Sequence, residues 1–194
     1  MPWILSLVAA LTLLEAGSVA AATLRIDEEG LLLGAQDVLV AGVLHDVEFV
    51  SGRCIDLFSF CNEAEDFLFQ SESAADAAAS ALLEQVLVDG PLGNFDSDPA
   101  RMAGCNPATV RCGARTPWRQ NPQAVLYVDV IETINGYAVG EFGDRIESVT
   151  VRRDFDTYGR NVVYAVWTVV PEPGTALLLG FGLVGLAGCP RAGT

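Results

Sequence analysis

Apolar and polar positions alternate in short runs along most of the chain. Thr23–Ile26 and residues 31–33 read as two strands around the turn-like Asp27-Glu28-Glu29-Gly30, and residues 36–41 and Val43–Val50 as two more, bracketing Gly42. In Val43–Val50, Asp46 and Glu48 take one side and Val47 and Phe49 the other, as on a half-buried antiparallel strand. Residues 53–61 read as a tied loop or a short helix. The period changes over 73–88, where Ala75, Ala79, Leu82, Leu83, Val86 and Leu87 fall on one helical face. Ser73 is placed to cap this helix, with Asp76 as the acid of a capping box, and Asp89-Gly90-Pro91 stops it. Residues 92–121 are rich in Gly, Pro, Asn and Asp and read as a long loop, in which Asp98-Pro99 opens a short helix. Strands follow at 123–133, 143–153 and 161–169, with Asn135-Gly136 as a turn. Strands, one helix, then strands imply an α+β domain: a mainly antiparallel sheet with one main Ala-rich helix packed on a face.

Both ends depart from this pattern. Residues 1–22 read as a secretory signal peptide. Residues 4–14 form an apolar stretch, and Ala20-Ala21-Ala22 offers small residues for cleavage. At the other end stands Val170-Pro171-Glu172-Pro173-Gly174-Thr175, then an uncharged run over 176–187. Pro171 and Pro173 lack an N–H and bias the residue before them towards extended backbone, so they end the last strand. Residues 174–189 make a helix of about 24 Å, short of the roughly 20 residues that span a bilayer comfortably. The chain thus divides into 1–22 as leader, 23–169 as domain and 170–194 as tail.

Pro171-Glu172-Pro173, the apolar run 176–187 and Arg191 resemble the PEP-CTERM sorting signal of Gram-negative bacteria: Pro-Glu-Pro, a short hydrophobic helix and a basic end at the extreme C-terminus. The resemblance covers about the last 25 residues. It implies a chain that is membrane-anchored through 176–187, then cut near Pro171–Pro173 by an exosortase and delivered to the cell surface or matrix, often in the setting of exopolysaccharide and biofilm. Where the family usually ends in several Arg or Lys, this chain has Arg191 alone, so the positive-inside bias rests on one charge. Leu186-Ala187-Gly188-Cys189 has the form of a lipobox, but a lipobox acts at the start of a chain. The block 44–61, the Ala-rich helix and Gly104-Cys105 are also similar to mature regions of uncharacterised PEP-CTERM proteins, which implies no activity.

Charge and cysteine usage agree with export. The 194 residues carry a net charge of −14 with a pI near 4.2, and all 11 basic residues are arginines. Such a surface repels nucleic acid and anionic lipid. Behind the leader stand Cys54, Cys61, Cys105 and Cys112, two Cys-x6-Cys units, with Cys189 in the tail. An even count in an exported domain implies disulfides. Three connectivities are open, and the local pairs Cys54–Cys61 and Cys105–Cys112 are favoured because each flanks a loop able to close. A four-cysteine zinc site would want tighter knuckles.

Candidate chemistry is sparse. His45 is the one histidine. Asp46 beside it points to the opposite face of a strand, so His45 is expected to be structural with its ring at the surface. Asn94, Asp96 and Asp98 match the first half of a calcium loop, but Pro99 and Cys105 occupy the positions where an EF-hand needs Gly and Glu. Trp118, Tyr127, Tyr137, Tyr158, Tyr164 and Trp167 could stack on sugar rings, with Tyr164 and Trp167 split between core and surface. No nucleophile elbow, phosphate loop or dinucleotide fingerprint is present, and no cofactor is implied. The expectation is a non-enzymatic structural or binding protein with no catalytic residues. The alternatives are a secreted hydrolase of matrix polysaccharide and a calcium-stabilised adhesion module.

Overall fold

The computed structural model describes residues 21–137 and 143–171. β1 (Thr23–Ile26), β2 (Leu32–Val40) and β3 (Val43–Val50) form an antiparallel meander. A short helix α1 (Cys54–Leu57) and the main helix α2 (Glu72–Ala81) follow, then a small hairpin of β4 (Asp89–Gly90) and β5 (Gly93–Asn94). The chain closes with β6 (Arg111–Gln120), β7 (Tyr127–Gly136), β8 (Arg145–Arg152) and β9 (Val162–Val169). Seven strands make one sheet in the order β1-β2-β3-β9-β6-β7-β8. Every neighbouring pair is antiparallel except β6 and β9.

The last strand is central because of its composition. β9 reads Val-Val-Tyr-Ala-Val-Trp-Thr-Val, a β-branched and aromatic run that is stable only with cover on both faces. On one face lie Val163, Ala165 and Trp167, under α2. The alanines 75, 78 and 79 are fully buried there and let the helix axis come close to Ala35, Ala114 and Ile131. On the other face Tyr164 and Val166 pack with Val128 and Val130 under the 54–61 loop, where Phe58 meets the rings of Phe67 and Tyr164 edge-on at 5.9 and 5.7 Å. The domain is α+β, mainly antiparallel, as the sequence implies, and it is covered on both faces.

Several elements differ from the sequence expectation. The stretch 111–120, expected as loop, is the interior strand β6, between β9 and β7. Cys112, Ala114, Thr116 and Trp118 are all buried, and Pro117 is tolerated because the pairing with β7 shifts between Pro117 and Arg119. The two short strands expected at 31–33 and 36–41 are one, β2, with a bulge between Ala35 and Val38 where Asp37 has φ 58°. Asp46 Oδ1 accepts from the Asp37 N–H at 3.1 Å and holds that bulge. Helix α2 starts one residue earlier than expected. Ser71, not Ser73, is its cap, accepting from Ala74 N–H at 3.2 Å. Its last turn widens over Leu82–Val86 into π geometry. Asn135-Gly136 does not turn. Both residues end β7 opposite Cys112 and Arg111, and the buried Asn135 amide donates to Phe95 O at 2.6 Å.

Candidate functional site

The tail leaves the domain from its centre. Val169 pairs with His45, the Val170 N–H donates to Leu44 O at 3.0 Å, and Pro171, exposed, is the last described residue. Glu172, Pro173, Arg191, the apolar run 176–187 and the leader up to residue 20 lie outside the described residues. β1 runs in the same direction as β3 and β9 opposite to both, so the N-terminus of β1 and the C-terminus of β9 reach the same end of the sheet. At that end an apolar cavity of about 580 Å³ opens between Ala22, Leu39, Val88 and Leu92. Among the described residues no helix is long and apolar enough to cross a membrane.

The cysteines pair locally. Cys54 joins Cys61 and Cys105 joins Cys112, with Cα separations of 5.7 and 6.1 Å. The first bond closes the lid over the second face, and Cys54 and Cys61 are both buried. The second ties the loop before β6 to that strand.

His45 is structural but not at the surface. It is 5% exposed, its Nδ1 bonds Val43 O at 3.0 Å, and its ring packs with Phe69 and Trp167 at 5.4 and 6.2 Å. The reason is the cover given by Phe69, which alternation within β3 cannot reveal. Tyr164 and Trp167 are likewise not split between core and surface: both are buried, on opposite faces, because both faces are covered. Trp118 is buried beneath the Arg119 guanidinium, 4.1 Å from its ring, while Tyr137 and Tyr158 are exposed.

Asn94, Asp96 and Asp98 do not converge. Asp98 turns to Arg101 Nε at 3.3 Å. Burial, then the facing carboxylate of Asp144, pushes the Asp96 carboxyl above its ordinary value. Asp89 accepts from the Ser97 and Asp96 N–H groups, and these bonds, that of Ser97 foremost, hold its own carboxyl below the ordinary value. The role of these residues in the structure is loop closure. Among the described residues no three His, Cys, Asp or Glu side chains gather as a metal site.

A charged cleft that the sequence reading missed lies on the second face. β6, β7 and β8 set Arg115, Glu132 and Glu147 in one cross-strand row, and Gly113, Ile134 and Arg145 in the next. Arg115 Nε donates to Glu132 Oε2 at 2.8 Å, with the two side chains 13% and 17% exposed, and Arg145 pairs with Glu147. A Cβ on Gly113 would stand 2.6 Å from Glu132 Oε1, so glycine is what lets that carboxylate lie across β6. With Arg111 and Asn161 these residues line a volume of about 260 Å³. The signal was the alternation Arg111-x-Gly113-x-Arg115, legible only once 111–120 is read as a strand. Both carboxylates are occupied by guanidinium groups, an arrangement suited to recognition through hydrogen bonds.

Residues 169–192 match the PEP-CTERM protein-sorting motif. The matched stretch begins at the last residue of β9 and contains Pro171, Glu172, Pro173 and Arg191. The chain therefore carries a PEP-CTERM sorting motif at 169–192, and that motif implies an exported chain, membrane-anchored before processing and sorted by an exosortase. No curated protein and no solved structure matches the chain.

Proposed function

We propose that residues 1–22 direct export and are removed, that the tail 170–194 holds the chain in the inner membrane until exosortase cuts near Pro171–Pro173, and that the 23–169 domain then serves at the cell surface or in the extracellular matrix. Its role there is structural or binding, not catalytic, in association with exopolysaccharide.

The observation that carries this reading is the junction at Val170. The sorting motif starts where the central strand stops, so the cleavable segment is a leash on a covered, disulfide-tied sheet. Both chain ends leave from one end of the sheet, which lets a leader and a tail occupy the same membrane while the domain stands off it. The acidic balance of the chain, −14 over its full length, favours solubility outside the cell.

The test is the intact mass of the protein from its own host, in membrane and medium fractions, before and after reduction. A mass lacking residues 1–22 and those after about 173, gaining the hydrogens of two disulfides on reduction, is the expected result. A membrane-bound chain that keeps residues 177–194 at steady state sinks the processing step and leaves a plain C-terminal anchor.

A further inference from the structure

We propose that the cleft between β6, β7 and β8 binds a small hydroxylated carboxylate of the uronate-sugar kind. This gives a ligand to the binding role proposed above and rests on that role, not on the sorting step.

Three of the 11 arginines of a strongly acidic chain line this one cleft. Two are matched: Arg115 by Glu132 and Arg145 by Glu147. Arg111 is exposed and has no ion-pair partner among the described residues, so its guanidinium is open to a ligand's negative charge. A ligand bearing one negative charge balances it.

A second observation lies at the inner wall. Among the described residues Arg115 Nη1 is buried without an acceptor at full hydrogen-bond geometry, and the buried Tyr164 hydroxyl, close enough to interact with the Arg115 guanidinium, is also left without one. Burial pushes the Tyr164 hydroxyl's pKa up, and the Arg115 charge close by offsets part of that rise. Unmet buried donors of this kind are costly unless something supplies an acceptor. A ligand oxygen entering beside Arg115 meets that need.

The remaining lining sets the rest of the ligand. Glu132 and Glu147 offer carboxylate oxygens that accept from hydroxyl groups, and Asn161 offers both a donor and an acceptor. Ile134 and Val162 add an apolar strip against which the carbon face of a ring can lie. About 260 Å³ is below the roughly 300–1,000 Å³ of pockets for drug-sized molecules, and fits a single small ring. A bare inorganic anion would use the arginines and leave the glutamates and the apolar strip idle. A neutral sugar would leave the Arg111 charge unmatched.

The experiment is calorimetric titration of the full chain, purified in detergent, with glucuronate, glucose, sulfate and a soluble polyuronate. Glucuronate or the polyuronate should bind at least about tenfold more tightly than glucose or sulfate, and the tighter of the two uronates identifies a free acid or a polymer unit as the source. Arg111→Gln should weaken uronate binding about tenfold. Arg53→Gln, which removes an exposed charge paired with Asp56 outside the cleft, should leave it unchanged. Because Arg111 is exposed and unpaired, its substitution spares the fold, and an unchanged circular dichroism spectrum checks this. Equal affinity for glucose or sulfate, no binding at all, or full binding by Arg111→Gln overturns the proposal. The mass measurement above judges sorting independently of this result.

Discussion

The Val170 N–H and the Leu44 carbonyl close the last ladder bond of the sheet, at 3.0 Å, and the residue after Val170 has no N–H to give. The backbone therefore changes at one peptide from paired strand to exposed chain. A protein ended after Val170 should unfold at the same urea midpoint as the full chain, within about 0.5 kcal/mol. A protein lacking 162–170 should show no cooperative transition, because β3 and β6 lose their common neighbour. Strong destabilisation by the first truncation would mean that the tail is part of the fold.

The N-terminus of α2 separates two serines two positions apart. Ser71 Oγ accepts from the Ala74 N–H, and Ser73 lies inside the helix, its hydroxyl 3.3 Å from that of Ser71. Ser71→Ala should cost about 1 kcal/mol in urea denaturation, and Ser73→Ala less than about 0.5 kcal/mol. The reverse order would restore the cap that the sequence suggested.

That pair shows what the sequence could carry. The alanine-rich face and the strands at 43–50 and 143–153 were legible because burial on α2, β3 and β8 follows simple periods, and the strand at 161–169 because β9 is a continuous β-branched and aromatic run. The tail was legible because Pro-Glu-Pro and an uncharged run are chemical signals that need no packing to be read. β6 was not, because Arg, Gly and Pro carry loop signals that only its neighbours β7 and β9 override. The charged cleft was lost with it: its members come from three strands and meet only through sheet register. His45 looked exposed because nothing in β3 announces that Phe69, 24 positions on, lies over its ring.

Gln85 completes an edge that β1 leaves open. β1 begins at Thr23 opposite Gln36, so Leu39 has no strand on that side. The Gln85 side chain takes the strand's place: its Oε1 accepts from Leu39 N–H and its Nε2 donates to Leu39 O, both at 2.9 Å. The widened turn Leu82–Val86 carries Gln85 to this position. Gln85→Ala should cost about 1–2 kcal/mol and speed amide exchange at Leu39. Gln85→Glu keeps only the acceptor and should recover part of the loss at neutral pH. Unchanged exchange at Leu39 in Gln85→Ala would show that water serves the edge equally well.

Asp129 makes the sheet sensitive to acid. Its Oδ1 accepts from Asn121 Nδ2 at 2.8 Å and from Thr150 Oγ1 at 2.7 Å, and its Oδ2 accepts from Arg119 Nε at 2.7 Å. Burial alone would raise its pKa, but these three donors outweigh burial and hold it below the ordinary 3.8. The unfolded chain then takes up this proton at a higher pH than the folded one. The stabilisation is fully present above the unfolded value and is lost as pH falls through the folded value. Asp129→Asn should therefore cost about 1–3 kcal/mol at pH 7. The gap to the parent should close in acid, where the parent's own carboxyl becomes neutral. Urea denaturation of both proteins from pH 7 down to pH 2.5 measures the closing. A penalty that stays constant across this range would assign the role of Asp129 to shape, and the charge on its carboxylate would contribute nothing to holding β6, β7 and β8 together.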